Sequence, residues 1–166
     1  MPMIPFMERF PELAAREMRA VTLSGRTDLP DGEYGFLELF CDEPGCDCRR
    51  VMIDVLRADT ALNKIWATIN YGWESLQFYK RWGGPSVTAS NSKGPFLDPI
   101  NPQTPYSAAL LSLFRLLIQS PDYNARIQTH YRIFRQTIDR DQQSANIRHL
   151  QPHPRLTRFR TSKNRH

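Results

Sequence analysis

Three consecutive segments between residues 34 and 71 alternate in side-chain character with a period of two, and this pattern constrains the fold more than any other feature. The segments are YGFLELFC, CRRVMIDVL and KIWATINY. Successive side chains of a β-strand point to opposite faces, so alternation of this kind is typical of half-buried strands. Because the three segments are separated by short connections, we predict a three-stranded antiparallel meander.

Helical patterns flank these strands. The segment RFPELAAREMRAVTL predicts an N-terminal helix with Pro11 in its first turn. Aromatic residues at three-residue spacing from Trp73 predict a short central helix that ends at the glycine pair 83–84. TPYSAALLSLFRLLIQS and SPDYNARIQTHYRIFRQTI each start with a capping residue and a proline and carry an apolar stripe. They predict a C-terminal helical hairpin, so we expect an α+β fold in which the meander packs against these helices.

Charge divides the chain into a neutral body and a basic tail. Residues 141–166 contain six basic side chains and one acidic side chain, an excess of five that equals the formal charge of the whole chain. Residues 1–140 are therefore neutral overall, and their composition is typical of a globular protein. We predict a single globular α+β domain over residues 1–140 and a basic, disordered tail over residues 141–166.

The sequence favours a cytoplasmic protein with no membrane partner. Three cysteines are too few for a disulfide scaffold, which indicates a reducing compartment. The N-terminal segment MPMIPFMERF is interrupted by prolines and charges and does not read as a secretory signal. The most apolar stretch, AALLSLFRLLI, is too short to cross a bilayer.

The segment CDEPGCDCRR holds every cysteine of the chain within eight positions. Proline and glycine at its centre fit a type II turn over residues 43–46, so the segment predicts the tip of a hairpin between two strands. Thiols on both sides of such a turn can converge, and converging thiolates are ligands for a soft metal such as zinc. The predicted ligands are Cys41, Cys46 and Cys48.

Zinc requires a fourth ligand, and the sequence offers several. His130 is the candidate because its helical spacing from Ile127 and Phe134 places it in the folded body. A histidine on an apolar helix face is nevertheless more often a packed core residue than a ligand. Asp42, Asp47 or a water molecule are the alternatives.

Two other interpretations of the cysteines stay open, because C-x4-C-x-C is not a zinc-ribbon spacing. Cys46 or Cys48 can be a reactive or redox-active thiol, activated by the neighbouring Arg49 and Arg50. The cysteines can also be small buried residues in a tight hairpin.

The basic tail predicts contacts with phosphate groups, because many cations without a hydrophobic period suit nucleic-acid binding through counterion release. A solvated end and a docking peptide for an acidic protein partner are the alternatives. The residues predicted to bind nucleic acid are Arg148, Arg155, Arg158, Arg160, Lys163 and Arg165.

At CDEPGCDCRRVMI and GPFLDPINPQTPYS the chain resembles a group of small bacterial proteins. That group shares a Cys-Asp-x-x-x-Cys-Asp-Cys-Arg-Arg hairpin and a Gly-Pro-Phe-Leu-Asp-Pro loop. The resemblance covers roughly Leu29 to Phe134 and excludes the tail. It implies a grouping and carries no activity or catalytic residue.

Three functional hypotheses follow, and they favour a non-enzymatic protein because no phosphate-binding glycine loop, zinc-protease or serine-hydrolase motif is present. The first is an accessory protein stabilised by a metal on the cysteines and contacting nucleic acid through the tail. The second is a thiol-dependent enzyme or redox sensor using Cys46 or Cys48. The third is a protein–protein interaction module that uses the long proline-rich loop over residues 83–104. Within that loop we expect Phe96 and Leu97 to anchor the chain on the core, rather than Asp98 to present its carboxylate to a ligand.

Overall fold

A six-stranded antiparallel sheet is the centre of the fold in the computed structural model, which describes residues 2–60, 64–101 and 103–150, with the backbone alone at 149 and 150. The strands are β1 (Met3–Pro5), β2 (Arg19–Leu23), β3 (Gly32–Cys41), β4 (Arg50–Arg57), β5 (Ile65–Gly72) and β6 (Gly94–Leu97).

Five helices complete the described chain, and the α+β prediction is confirmed. They are α1 (Phe6–Arg9), α2 (Pro11–Glu17), α3 (Leu76–Gly83), α4 (Ser107–Leu117) and α5 (Pro121–Leu150), with a short 3-10 turn at Ala89–Asn91. Across the described ranges, no helix combines the length and the apolar character needed to cross a membrane.

The predicted meander is the middle of the sheet. β3, β4 and β5 pair in sequence and antiparallel, with Phe36 opposite Val55 and Val55 opposite Ala67. β6 extends the sheet beyond β5, while β1 and β2 both pair with the other edge of β3, at its two ends. The sheet therefore contains three strands that the alternation pattern does not reveal.

The N-terminal helix prediction is correct only in part. Helical turns cover residues 6–17 in two pieces, whereas Arg19–Leu23 forms β2 instead of continuing the helix. The chain becomes extended at Met18, where φ is −57° and ψ is 129°. The segment RAVTL then alternates between half-buried and exposed residues along the edge of β3, a position that suits its β-branched Val21 and Thr22.

The two C-terminal helices follow each other closely, as predicted, and each packs on the sheet. α4 lies over β5 and β6, and α5 lies over β3 and β4. The predicted disordered tail begins at residue 141, but α5 continues to Leu150. Its last residues are mostly exposed, so no apolar stripe marks them in the sequence, and Arg9 pairs with Asp141 at 2.5 Å.

Aromatic side chains form the core between the sheet and the long helices. Phe36 of β3 stacks on Phe114 of α4 with ring centroids 6.0 Å apart, and Phe40 contacts Phe134 of α5 at 5.6 Å. All four rings are fully buried. Phe36 and Phe40 are four positions apart, and Glu38 lies midway between them, so the same face of β3 also carries Glu38 into the core.

Candidate metal centre

The connection between β3 and β4 brings the three cysteines together. We call residues 41–49 the cysteine loop. The sulfur atoms of Cys41, Cys46 and Cys48 all lie within 4.8 Å of one another, and all three are thiols. Cys41 is the last residue of β3, but Cys46 and Cys48 lie in the loop before β4 rather than on that strand. Cys41 and Cys48 are fully buried, and Cys46 is half-buried.

Two residues of the loop have positive φ angles, and together they reverse the chain. The N–H of Cys46 donates to the carbonyl oxygen of Glu43 at 3.2 Å, and Gly45 has a φ of 73°. These are the hydrogen bond and the glycine conformation of the predicted type II turn. Arg49 has a φ of 46°, which is uncommon for a residue with a side chain and directs the chain into β4.

Helix α5 holds the cysteine loop in place through residues that the sequence did not point to. The guanidinium of buried Arg135 donates to the carbonyl oxygens of Cys41 and Glu43, at 3.0 and 2.9 Å. Tyr131 accepts a hydrogen bond from the N–H of Arg49 at 3.2 Å. These bonds bring the two ends of the loop onto one helix face, because the two helical residues are four positions apart.

The environment of the thiols disfavours their charged form in the metal-free protein. Burial raises the pKa of Cys41, although an N–H from Glu43 to its sulfur acts in the opposite direction. Burial and then the charges of the two neighbouring thiols raise the pKa of Cys48 to about 12, against the effect of an N–H from Arg50. Backbone donors aimed at two of the sulfurs are a favourable feature for thiolates, once a positive ion offsets burial.

The spacing of the sulfurs is close to what a tetrahedral ion needs. With Zn–S bonds of about 2.3 Å, tetrahedral geometry places sulfurs roughly 3.8 Å apart. The observed upper limit of 4.8 Å means that shifts of about 1 Å would close the shell. The half-buried Cys46 also lines a cleft of about 350 Å³ beside α5, which offers an ion a path to the thiols.

His130, the predicted fourth ligand, is not brought to the cysteines. Its Nδ1 lies 2.7 Å from Glu38 Oε2 and its Nε2 lies 3.0 Å from Glu17 Oε2, so both ring nitrogens face carboxylates. The ring also stacks on Phe6, with centroids 4.4 Å apart. The compact thiol group does not include His130, and its role is that of a buried core residue.

The alternative ligands, Asp42 and Asp47, differ in their polar contacts. Asp47 is exposed and forms an ion pair with Arg49 at 2.9 Å. Asp42 Oδ1, by contrast, is buried and has no hydrogen-bond partner among the described residues. Asp42 follows Cys41 directly in the sequence, but its carboxylate, like His130, is not part of the compact thiol group.

The side chains of Arg49 and Arg50 interact with groups other than the thiols. Arg49 also pairs with Glu74 at 3.0 Å, and its guanidinium lies 4.7 Å from the centre of the Phe78 ring. Arg50 lies over the rings of Tyr79 and Trp82. The prediction that they activate a thiol through their side-chain charge therefore has no contact to support it, and Arg135 is the cation that favours a charged Cys41.

Asp98 itself fixes the proline-rich loop through hydrogen bonds, whereas the predicted anchors are Phe96 and Leu97. The Oδ2 of Asp98 accepts a hydrogen bond from Asn70 Nδ2 at 2.6 Å, and its Oδ1 accepts from the backbone N–H groups of Ile100 and Asn101. Residues 94–97 of the same loop form β6. The carboxylate is thus fully used within the fold.

The predicted nucleic-acid contacts fall at the edge of the described chain. Arg148 is exposed on α5, and its Nε donates to the carbonyl oxygen of Ser144 at 3.3 Å. The other five residues lie outside the described residues: Arg155, Arg158, Arg160, Lys163 and Arg165.

One buried polar group was missed by sequence reasoning, although a signal for it exists. Glu38 lies between Phe36 and Phe40 on the alternating face of β3, and a carboxylate at a core position requires a partner. The partner is His130 on α5, 92 positions away.

Comparisons of the chain with protein-family models, curated proteins and solved structures found no match.

Proposed function

We propose that this protein is a non-enzymatic accessory protein whose β3–β4 connection is stabilised by a zinc ion bound to Cys41, Cys46 and Cys48. The observation that carries the proposal is the convergence of three sulfur atoms within 4.8 Å of one another in an otherwise hydrogen-bonded loop. Sulfur ligands favour zinc over calcium or magnesium, which prefer oxygen.

A structural role suits this position better than a reactive thiol. A nucleophilic cysteine needs exposure and a stabilised thiolate, but of the two candidates Cys48 is fully buried and Cys46 is half-buried. Metal binding releases the thiol protons, and the free energy of binding adds to the stability of the folded protein. The ion would link the end of β3 to the residues before β4, next to the anchor that Arg135 provides.

Asp42 is the proposed fourth ligand of the ion. Its Oδ1 is buried and has no hydrogen bond to any residue that the structure describes, and such an atom normally costs about 1–3 kcal/mol. A turn of this side chain toward the sulfurs would satisfy the oxygen and complete an S₃O shell. Asp47 is a matched control because it lies in the same loop, carries the same charge and is already paired with Arg49.

The first experiment measures zinc per chain in protein purified without a histidine tag, together with the zinc affinity of two variants. We expect about one zinc per chain, an affinity at least tenfold lower in Asp42→Ala, and no change in Asp47→Ala. Purified protein without zinc that also fails to bind added zinc refutes the proposal. Equal affinity in both variants refutes Asp42 as a ligand while leaving the three thiolates.

A Cys48→Ser variant tests the thiol ligands directly, and a chelator provides a second measurement in case the variant does not fold. We expect the variant to lose zinc and the chelator to lower the Tm of the wild-type protein. A chelator that removes zinc without changing the Tm would contradict a stabilising role.

The same accessory protein is proposed to contact nucleic acid through its C-terminal segment. The support is charge, since residues 141–166 hold the entire formal excess of positive charge and Arg148 is exposed. Removing residues 151–166 is expected to abolish most binding to a random DNA or RNA duplex and to flatten its dependence on salt. Unchanged binding after the truncation would refute this part, with zinc content and Tm as controls for folding.

A further inference from the structure

A group of buried and half-buried polar side chains lies between α5 and the sheet, on the side of His130 rather than that of the cysteines. Glu38 is 4% exposed, and Tyr123 and His130 are each 2% exposed. Tyr123, Arg126 and His130 are spaced by three and four positions, so they share one face of α5. Arg19, on β2, completes the group with its guanidinium 5.7 Å from the centre of the Tyr123 ring.

Four polar atoms of this group are buried without a hydrogen-bond partner in the part of the chain that the structure describes. More than nine in ten buried polar groups in proteins have a partner when ordered water is counted, so four such atoms around one ring mark a place for a bound polar ligand. Two are on fully buried side chains, one an acceptor and one a hydroxyl, and two are guanidinium donors. They are Glu38 Oε1, Tyr123 Oη, Arg19 Nε and Arg126 Nε.

The two arginines lack the acidic partners that such side chains usually have. Arg126 lies 5.3 Å from the centre of the Tyr123 ring, so Arg19 and Arg126 both contact this one ring. Neither forms an ion pair with a carboxylate of the described residues. Their positive charges are therefore available to an anion beside the Tyr123 ring.

The balance of charge in the group favours an anionic ligand. Glu38 and Glu17 both contact His130, and their hydrogen bonds and charges raise its pKa despite the opposing effect of burial. With His130 protonated, the group has three cations and two carboxylates, and one positive charge remains. Burial and then the charge of Glu38 raise the pKa of Tyr123, which keeps its hydroxyl available as a donor.

We propose that Arg19, Arg126, Tyr123 and Glu38 form a binding site for a small oxyanion that carries its own hydrogen-bond donor, with inorganic phosphate as the ligand that fits best. The guanidinium groups and the Tyr123 hydroxyl donate to the phosphate oxygens, as arginine does in many phosphate sites. Glu38 Oε1 accepts the hydrogen of a protonated phosphate oxygen. All four protein atoms are shielded from solvent, so the site favours free phosphate over a phosphate ester.

A comparison of sulfate with phosphate distinguishes a specific site from general electrostatic attraction of anions. Phosphate carries a proton at pH 7 and can donate it to Glu38, whereas sulfate has no proton and would place an oxygen against the carboxylate. We therefore expect isothermal titration calorimetry of the full chain to detect phosphate binding and at least tenfold weaker sulfate binding. A phosphate ester such as methyl phosphate is expected to bind more weakly than phosphate.

Two variants locate the site, each with a matched control. Tyr123→Phe removes only the buried hydroxyl and Arg126→Gln removes one cation, and each is expected to weaken phosphate binding at least tenfold. The controls are Tyr34→Phe, a buried tyrosine that donates to Pro30, and Arg132→Gln on the same helix, which bonds Thr129. We expect both controls to bind phosphate as the wild type does.

Three results of these experiments would contradict a phosphate site. It is overturned if phosphate gives no binding heat, if sulfate binds as tightly as phosphate, or if binding is unaffected in Tyr123→Phe and Arg126→Gln. Because Tyr123 Oη has no hydrogen bond to lose among the described residues, Tyr123→Phe should keep its Tm, so weaker binding would not reflect unfolding.

Discussion

The buried pair of Glu38 and His130 provides the strongest test of how this domain is stabilised. The imidazole Nδ1 and the Glu38 Oε2 are 2.7 Å apart, and neither side chain is more than 4% exposed. His130→Phe retains a flat ring that can still stack on Phe6, but it leaves the Glu38 carboxylate without its partner. The change therefore isolates the charge interaction from the packing of the ring.

The expected loss of stability follows from the surroundings of the pair. Removing one partner of a buried ion pair costs about 3–5 kcal/mol, because the remaining charge is not solvated. Water cannot easily replace His130, since the adjacent cavity is only about 10 Å³ and is otherwise lined by Phe6, Met7, Ala14, Met18 and Leu37. Such a loss is a large share of the roughly 5–15 kcal/mol that stabilises a typical domain.

The measurement is urea unfolding at pH 7 in phosphate-free buffer, followed by tryptophan fluorescence and circular dichroism. The double variant His130→Phe/Glu38→Leu removes both charges and is expected to recover much of the loss, because apolar replacement of a buried pair is often neutral or stabilising. His153→Gln is the control, since it removes a histidine that follows the described residues.

Two results would refute this reasoning. One is a loss below about 1 kcal/mol in His130→Phe, which would mean that the carboxylate finds other partners at little cost. The other is a double variant no more stable than the single variant, which would mean that ring shape rather than charge is responsible.

Two further predictions concern pH and backbone packing. The pKa of His130 is above its ordinary value in the folded protein, so its stabilising contribution is complete below the unfolded pKa and is lost as pH rises through the folded pKa. The free energy of unfolding, measured by urea titration from pH 6 to 9, should therefore fall by at most about 1.4 kcal/mol per pH unit in the wild type, and this component should be absent in His130→Phe. Gly72→Ala should destabilise the protein by more than about 2 kcal/mol, because a Cβ there would overlap the carbonyl oxygen of Ser92 and lie 2.6 Å from Tyr79 Oη. Gly35→Ala is the matched control on a central strand, where the Cβ meets only Met18 Cε at 3.7 Å, and equal Tm values for the two alanine variants would contradict the packing argument.

Sequence alone determined the elements whose signals are local. Alternation over eight or nine residues identified the central strands, and proline and capping residues identified the starts of the last two helices. The cysteine cluster also belongs to this class, since three cysteines within eight positions around a tight turn have few ways to stay apart. Composition likewise placed the excess positive charge at the C-terminal end.

Tertiary structure decided everything that depends on which surfaces meet. The strands β1 and β6 have three and four residues, too few to show a period, and they exist because β3 and β5 offer them hydrogen bonds. The choice of Glu38 rather than a cysteine as partner of His130 depends on how α5 is rotated over the sheet. Arg135 holds the cysteine loop from 94 positions away for the same reason. Local patterns carry no information about such distant pairs, because register and helix rotation are set by packing of the whole core.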